Sequence, residues 1–455
     1  MSSKPPKKGT IVASKAVVLA IKKAIGYIKI LKPKKKVETM DAVKISGGKL
    51  LHGSVDISGS KNACLPILAA CLLTSESCII KNVPALSDIS SMIDLMKDLG
   101  VVVETISDKT ISVQARNPRS VVDSSHVNRI RASVCLMGAL LGRTNEVAIP
   151  MPGGCVIGAR PIDLHLRGFQ MLGANVSTFD SNIYLSTKAL IGNKVCMSGK
   201  CGPTVTGTAN LLMASVLAQG QTIIYDAACE PEIVSLCNFL TTMGAKIDGI
   251  GTSTLTVLGV EKLHGCEFTI DCDRIEAGTF VILGLACAKE LVVNGITHSD
   301  SLINPLLEAG ADMKIETDKA TIKKTEDMRC MNIITSPFPG FPTDLHAQLS
   351  VLMTQLNGIS IIEEKIYPER FGHVPELIKM KANIQLNGHS EIVNGRCNLR
   401  GNELAATDLR AGAALYIAGL LAKGETIVTN THYVDRGYDH FNDKLRAIGA
   451  DICED

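Results

Sequence analysis

Cys155 stands in the run MPGGCVIGARPIDLH, residues 151–165, directly behind Pro152, Gly153 and Gly154 and five positions ahead of Arg160. A cysteine used as core filler belongs on the apolar face of a helix or strand. Behind two glycines it is predicted on exposed, adaptable backbone, a placement that points to chemistry. Basic residues occupy similar settings: Lys61 in SGSKNA, Arg131 in RIRAS, Arg160 in GARPIDLH, Arg410 in TDLRAG and Arg436 in VDRGYD. Guanidinium forks and a lysine point charge suit phosphate and carboxylate groups, so the set predicts a site for a small polyanion. Most lysines and arginines are simply solvated, but glycine-rich and polar junctions are where binding residues gather. Lys61 and Asn62 fall where a strand should end and the apolar helix ACLPILAACLL begin, at a helix N-terminus that itself attracts anions. Asp344 in GFPTDLHAQ precedes an amphipathic helix, and both helix capping and service as a general base are open to it. Asp163, His165, His346 and Asp408 are read as polar residues that orient their neighbours through hydrogen bonds.

The chain lacks a Walker loop, an HExxH pair, a nucleophile elbow, a dinucleotide fingerprint and a CxxC pair, the usual signals of nucleotide hydrolysis, hydride transfer and zinc chemistry. A net charge of +2 over 455 residues gives no whole-chain case for nucleic-acid binding, so any anion site is local. Fifteen cysteines, an odd number in a long chain, fit a reducing cytoplasm better than a disulfide scaffold. Hydrophobic residues at 46% with no tryptophan predict an aliphatic core.

The first forty residues differ. Eleven lysines face one acid, Glu38, and the apolar stretch 11–31 is interrupted by Lys15, Lys22, Lys23 and Lys29, so it is not a transmembrane helix. Residues 1–39 are expected to form a basic, poorly ordered extension, with contact to a membrane surface as the other use of such a segment.

Such residues need elements to position them, and those elements repeat. The phrases MKDLGVVVET, FQMLGANVST, LTTMGAKIDG, LLEAGADMKI, LIKMKANIQL and LRAIGADICE each end a helical pattern and start an alternating one. Their period is about 70 residues. Gly100, Gly173, Gly244, Gly310 and Gly449 mark the junction, with Lys381 in the fifth copy. A glycine there closes the helix at positive φ. Six α/β modules in a chain of this length predict two lobes of three around a cleft. The crossovers are expected near Gly59 and Ser60 and near 271–274, which assigns 61–271 to an N-terminal domain and 40–60 plus 272–455 to a C-terminal domain.

In order, ISGSKNACLPIL, PGGCVIGARPIDLH, EPEIV, DRIEAGTF, FPTDLHAQ, RFGHVPEL, ATDLRAGAAL and DRGYD resemble the UDP-N-acetylglucosamine enolpyruvyl transferases across the chain from Met40 onward. The resemblance implies a two-domain inverse α/β barrel, each domain holding three βαβαββ units. It implies transfer of the enolpyruvyl group of phosphoenolpyruvate to the 3-hydroxyl of UDP-N-acetylglucosamine by addition and elimination, without metal or cofactor, as the first committed step of peptidoglycan precursor synthesis. By the same resemblance, Cys155 donates a proton to the methylene carbon. Lys61, Asn62, Arg160, Arg410 and Arg436 hold phosphoenolpyruvate. Arg131, Arg160, Pro161, Ile162, Asp163, Leu164, His165, Thr204, Val205, Asp344 and Ile366 hold the nucleotide sugar, with Asp344 at the reacting hydroxyl. The run TVTGT, 204–208, departs from the family pattern, and the basic extension has no counterpart in it. The 5-enolpyruvylshikimate-3-phosphate synthases share fold and donor and are the rival reading; PGGC and RPIDLH argue against them. A catalytically silent scaffold is the other.

Overall fold

A buried helix surrounded by apolar neighbours on all sides reads as hydrophobic all round, and six such helices organise the chain. In the computed structural model, which describes residues 41–122, 127, 130–152 and 160–454, they are Lys61–Ala70, Leu136–Thr144, Val205–Ser215, Arg274–Cys287, His346–Met353 and Leu409–Leu421. In Arg274–Cys287 every residue after the arginine is buried. Each inner helix leads to a strand, then to an outer helix, then to a β-hairpin or, in the sixth copy, to a single strand, so the fold is mixed α/β with six copies of one βαβαββ-like unit.

The sheets show how the copies close on themselves. In the sheet of the fifth copy, strand Gly358–Glu363 pairs parallel with Asn332–Ile334 and antiparallel with Ser390–Gly395, which pairs antiparallel with Ile384–Asn387. The first copy repeats this pattern but takes its parallel edge from Glu267–Thr269, two hundred residues downstream in register with Ser77–Lys81. The fourth takes its edge from Leu51–Asp56, and the sixth fills its hairpin position with Ala42–Ser46 between Glu425–Thr429 and Asp451–Glu454. Distant strands thus complete the outer copies and close each lobe.

Two hydrophobic cores result. One runs from Ala63 to Ile270; the other joins Val43, Ile45, Leu51, Val55 and Ile57 to residues from Ile275 to Ile452. The chain passes between them at 58–60 and 271–273, where the two strands run antiparallel: Ser60 N donates to Asp271 O at 2.7 Å, and Asp273 N to Ser58 O at 2.8 Å.

All six outer helices end in the same cap. The residue at positive φ donates three residues back and its successor donates five back, as Gly100 to Lys97 and Val101 to Met96 in the first copy. In the fifth copy Lys381 itself adopts φ +74°, donates to Ile378 O at 3.0 Å, and lets Ala382 reach Leu377 O at 3.1 Å. The repeated geometry overrides the residue's preference.

Inside the first lobe, Asn210 ties three helices together. Its Oδ1 accepts from Gly138 N at 2.7 Å, and its Nδ2 donates to Val134 O and to His165 Nδ1, each at 2.9 Å. His165 then donates from Nε2 to Thr206 Oγ1 at 3.3 Å. Burial, with Arg131 adding to it, lowers its pKa from 6.5 to about 4.

Two outcomes are expected. Lys381→Gly removes a left-handed side-chain conformation on an exposed surface and should stabilise the second lobe by about 1 kcal/mol, read as a higher denaturant midpoint. His165 is protonated more readily in the unfolded chain, so its stabilisation is complete above pH 6.5 and is lost as pH falls toward 4. The loss should approach roughly 3 kcal/mol and be absent in His165→Gln, measured by denaturation across pH.

Candidate functional site

The N-terminal ends of the six inner helices carry the candidate residues. Lys61 and Asn62 open Lys61–Ala70, which Ser60 caps by accepting from Ala63 N. Arg131 opens the 3-10 turn that leads into Leu136–Thr144. Thr204 caps Val205–Ser215 through Gly207 N, so TVTGT forms a helix start. Asp273 caps Arg274–Cys287, Asp344 lies in the turn Thr343–Leu345 before His346, and Asp408 caps Leu409–Leu421 next to Arg410. Helix N-termini bear partial positive charge, so this shared placement adds to the side-chain cations.

Two carboxylates organise those cations. Asp88, from the outer helix Ser87–Asp98 of the first lobe, reaches Lys61 Nζ at 2.7 Å with one oxygen and Arg436 Nε at 2.9 Å with the other, both carboxylate and amine being over nine-tenths buried. It holds together one cation from each lobe. Burial lowers the Lys61 pKa, and the Arg410 and Arg436 charges add to this; Asp88 opposes it. Asp344 is the second anchor: Oδ1 lies 2.8 Å from Arg370 and 3.5 Å from Arg410 Nε. Burial would raise the Asp344 pKa, but Arg410, Arg370 and Arg160 hold it far below the ordinary carboxylate range. Its side chain makes no helix cap; ion pairing has taken that role's place.

Arg410 is 2% exposed, yet among the described residues its Nε and Nη1 have no hydrogen-bond partner, and neither does Arg160 Nε. Buried guanidinium donors without acceptors are costly, and an anion between them would supply the acceptors. Arg160 lies with its Cζ 4.6 Å above the Tyr367 ring, a cation–π contact from the first lobe to the second. Arg131 donates to Pro152 O at 3.3 Å and to Arg160 O, which holds both ends of the segment around 153–159. Cys155 lies within that segment, outside the described residues.

The lobes also meet beside Arg274, whose Nε is 3.1 Å from Glu232 Oε1 and whose Cζ lies 5.8 Å from the Phe338 ring centre. Glu230 accepts from Phe338 N at 3.4 Å, and burial raises its pKa. A Cβ on Gly202 would come within 2.9 Å of Pro337, so the entry to Val205–Ser215 lies against the second lobe.

The remaining expected residues distribute unevenly. Pro161 and Asp163 are exposed, Leu164 is half-buried and Ile162 is buried, at the start of helix Asp163–Met171. His165 faces inward onto Asn210 and Thr206. Ile366 is partly buried and donates its backbone N–H to Glu364 Oε1 at 2.8 Å. One group among the described residues has metal-ligand spacing: His346, His373 and Glu391, all buried, hydrogen-bonded to one another through Glu391 Oε2.

Sequence reasoning did not single out Asp88, Arg370, Tyr367 or the Glu232–Arg274 pair. Asp88 reads as an ordinary first-turn acid complementing a helix dipole, and its role as a bridge depends on two residues far away in sequence. Arg370 stands in the run RFGHVPEL, two positions before Gly372, and nothing in that local pattern separates it from a surface arginine.

Residues 45–445 match the family described as EPSP synthase (3-phosphoshikimate 1-carboxyvinyltransferase). The chain is 42% identical over 415 residues to the UDP-N-acetylglucosamine 1-carboxyvinyltransferase of Methylacidiphilum infernorum, covering 91% of this chain and 98% of that one. It is 44% identical over 423 residues to the protein of the same name in Akkermansia muciniphila, with the same coverage of both. Among solved structures, the enolpyruvyl transferase NikO from Streptomyces tendae superposes with a TM-score of 0.82 at 25% identity, over 91% of this chain and 99% of that one. EPSP synthase from Acinetobacter baumannii shares the fold, with a TM-score of 0.74 at 16% identity over 91% of this chain and all of that one. The chain therefore belongs to the EPSP synthase family of enolpyruvyl transferases, among its UDP-N-acetylglucosamine 1-carboxyvinyltransferases.

Proposed function

We propose that this enzyme moves the enolpyruvyl group of phosphoenolpyruvate onto the 3-hydroxyl of UDP-N-acetylglucosamine and releases phosphate, in the synthesis of peptidoglycan precursors in the cytoplasm. The observation that carries the reading is a concentration of positive charge: Lys61, Arg160, Arg370, Arg410 and Arg436 gather around Asp88 and Asp344, and among the described residues Arg410 Nη1 and Arg160 Nε have no hydrogen-bond partner. A phosphate and a carboxylate on one small molecule are the complement of such a cluster. No helix among the described residues is long and apolar enough to cross a membrane.

In this reading the N-terminal domain, 61–271, and the C-terminal domain, 40–60 plus 272–455, enclose the site. Lys61, Asn62, Arg160, Arg410 and Arg436 hold phosphoenolpyruvate. Arg131, Arg160–Leu164 as a run, His165, Thr204, Val205 and Ile366 line the nucleotide-sugar side, His165 through its grip on Thr206. The acceptor oxygen adds to the carbon that bears the phosphate as the Cys155 thiol gives its proton to the methylene carbon. In the second step a proton leaves the new methyl group, the bond to the phosphate oxygen breaks, and the double bond reforms. Asp344 orients the hydroxyl and takes its proton as positive charge develops on the donor. Its arginine partners keep it ionised throughout the working range while weakening it as a base, so orientation is a large part of its contribution.

Phosphate release from phosphoenolpyruvate, measured with UDP-N-acetylglucosamine and shikimate 3-phosphate offered separately, tests the acceptor. Release with the nucleotide sugar alone is expected; release with shikimate 3-phosphate alone would transfer the assignment to the rival. Cys155→Ala should abolish turnover, whereas Cys155→Asp, which still carries a transferable proton, should retain some. Fosfomycin, an epoxide phosphonate, should label Cys155, and mass mapping of the adduct to another cysteine would remove the thiol from the mechanism. Asp88→Asn takes the shared partner from Lys61 and Arg436 and should lower kcat/KM by about 10- to 100-fold, since each lost charge-assisted hydrogen bond is worth roughly 1.5–3 kcal/mol.

A further inference from the structure

Two positions after Asp344, the chain buries a histidine that the proposed reaction does not use. His346 opens helix His346–Met353 and is fully buried, and both ring nitrogens face carboxylates: Nδ1 is 3.1 Å from Glu364 Oε2 and Nε2 is 2.9 Å from Glu391 Oε2. A ring that donates from both nitrogens is an imidazolium. Burial works against that charge, but the two glutamates outweigh it and raise the His346 pKa above its ordinary value. The ring of His373 stands 5.0 Å away and that of Phe371 5.3 Å away, both edge-on, and complete the enclosure.

Each glutamate extends the connection. Glu364 Oε2 also accepts from Thr343 Oγ1 at 2.9 Å, and its Oε1 accepts from Thr335 Oγ1 and Ile366 N at 2.8 Å and from Tyr367 N at 2.9 Å. Glu391 Oε2 accepts from Ser350 Oγ at 2.9 Å and from His373 Nε2 at 3.0 Å. Thr343 Oγ1 in turn accepts from Arg370 Nη1 at 3.2 Å. Three stretches that carry the site are thereby joined: the turn bearing Asp344, the segment bearing Ile366 and Tyr367, and the loop from Arg370 into helix His373–Lys379. The Tyr367 ring, held by this network through its own backbone, is the surface on which Arg160 rests.

We propose that His346 is a positioning residue of the reaction: clamped between Glu364 and Glu391, it fixes the turn that aims Asp344 at the acceptor hydroxyl and the segment that sets Tyr367 beneath Arg160. The inference rests on the functional reading above. A hydrophobic replacement would leave two buried carboxylates unbalanced and threaten folding, so the informative variant is His346→Gln in the full chain, compared with Glu364→Gln and with the double variant. Stability is followed in parallel by thermal unfolding.

The expected result for folded His346→Gln is a kcat lower by about 10-fold or more, with KM for phosphoenolpyruvate within about twofold, because misplacing a reacting group costs rate before it costs donor binding. The double variant, which removes one cation and one anion together, should recover part of that kcat. Unchanged kcat per folded molecule in His346→Gln, or a double variant no better than the worse single one, would overturn the positioning role while leaving the functional reading intact. A wild-type chain that releases no phosphate with UDP-N-acetylglucosamine would refute the functional reading and this inference with it.

Discussion

Like charges gathered in a low-dielectric seam repel one another, and the structure depends on how that repulsion is held in check. Asp88 and Asp344 are set among Lys61, Arg160, Arg370, Arg410 and Arg436, and neither carboxylate serves a single partner. Five bases around these two acids leave the seam rich in positive charge, although Asp273 and Asp408 also act on Arg410 and Arg370. Arg410, although buried, has no hydrogen-bond partner for Nη1 among the described residues, a position open to an anionic acceptor.

The fold earns this concentration of charge by repetition. Each inner helix is apolar all round and can be buried only among its fellows, so three of them form the centre of each lobe and the sheets cover them. Their polar N-terminal ends cannot enter those cores and emerge together, carrying residues from all six copies. The lobes are then tied by side chains that reach across, Asp88 to Arg436, Arg160 to Tyr367 and Glu230 to Phe338, while among the described residues the backbone crosses at 58–60 and 271–273. Few covalent connections and several polar contacts thus join the lobes along a charged seam.

Beneath the seam lies a second polar layer whose acceptors are mostly occupied by the protein's own donors, with Glu391 Oε1 left without a partner among the described residues. The hydrogen bonds of His346 to Glu364 and Glu391, and of His373 to Glu391, stiffen the backbone under Asp344. Buried groups of this kind look in sequence like the ligands of a metal or the members of a relay; their hydrogen-bond partners give them a structural task instead.

Much of this was legible in the sequence because it depends on local chemistry. The six helix-to-strand junctions, their positive-φ glycines and the helix starting at Lys61 follow from residues a few positions apart, and the motif order carried the family. Lys381 shows the limit of that local reading: the repeat demanded a left-handed residue and a lysine supplies it. Asp88, Arg370, Tyr367 and the clamp around His346 were not legible, since each acts on residues dozens or hundreds of positions away, and a first-turn aspartate or a lone arginine has the same local signature on any surface. His165 orients a neighbour through a hydrogen bond as its sequence reading implied, but that the neighbour is Asn210 in the core was not legible. The sequence by itself determined the repeating unit and the cationic residues at the starts of its helices. Only the tertiary structure decided which acid restrains which base, because that choice is made by distances across two cores, and electrostatic energy in a buried seam depends on those distances.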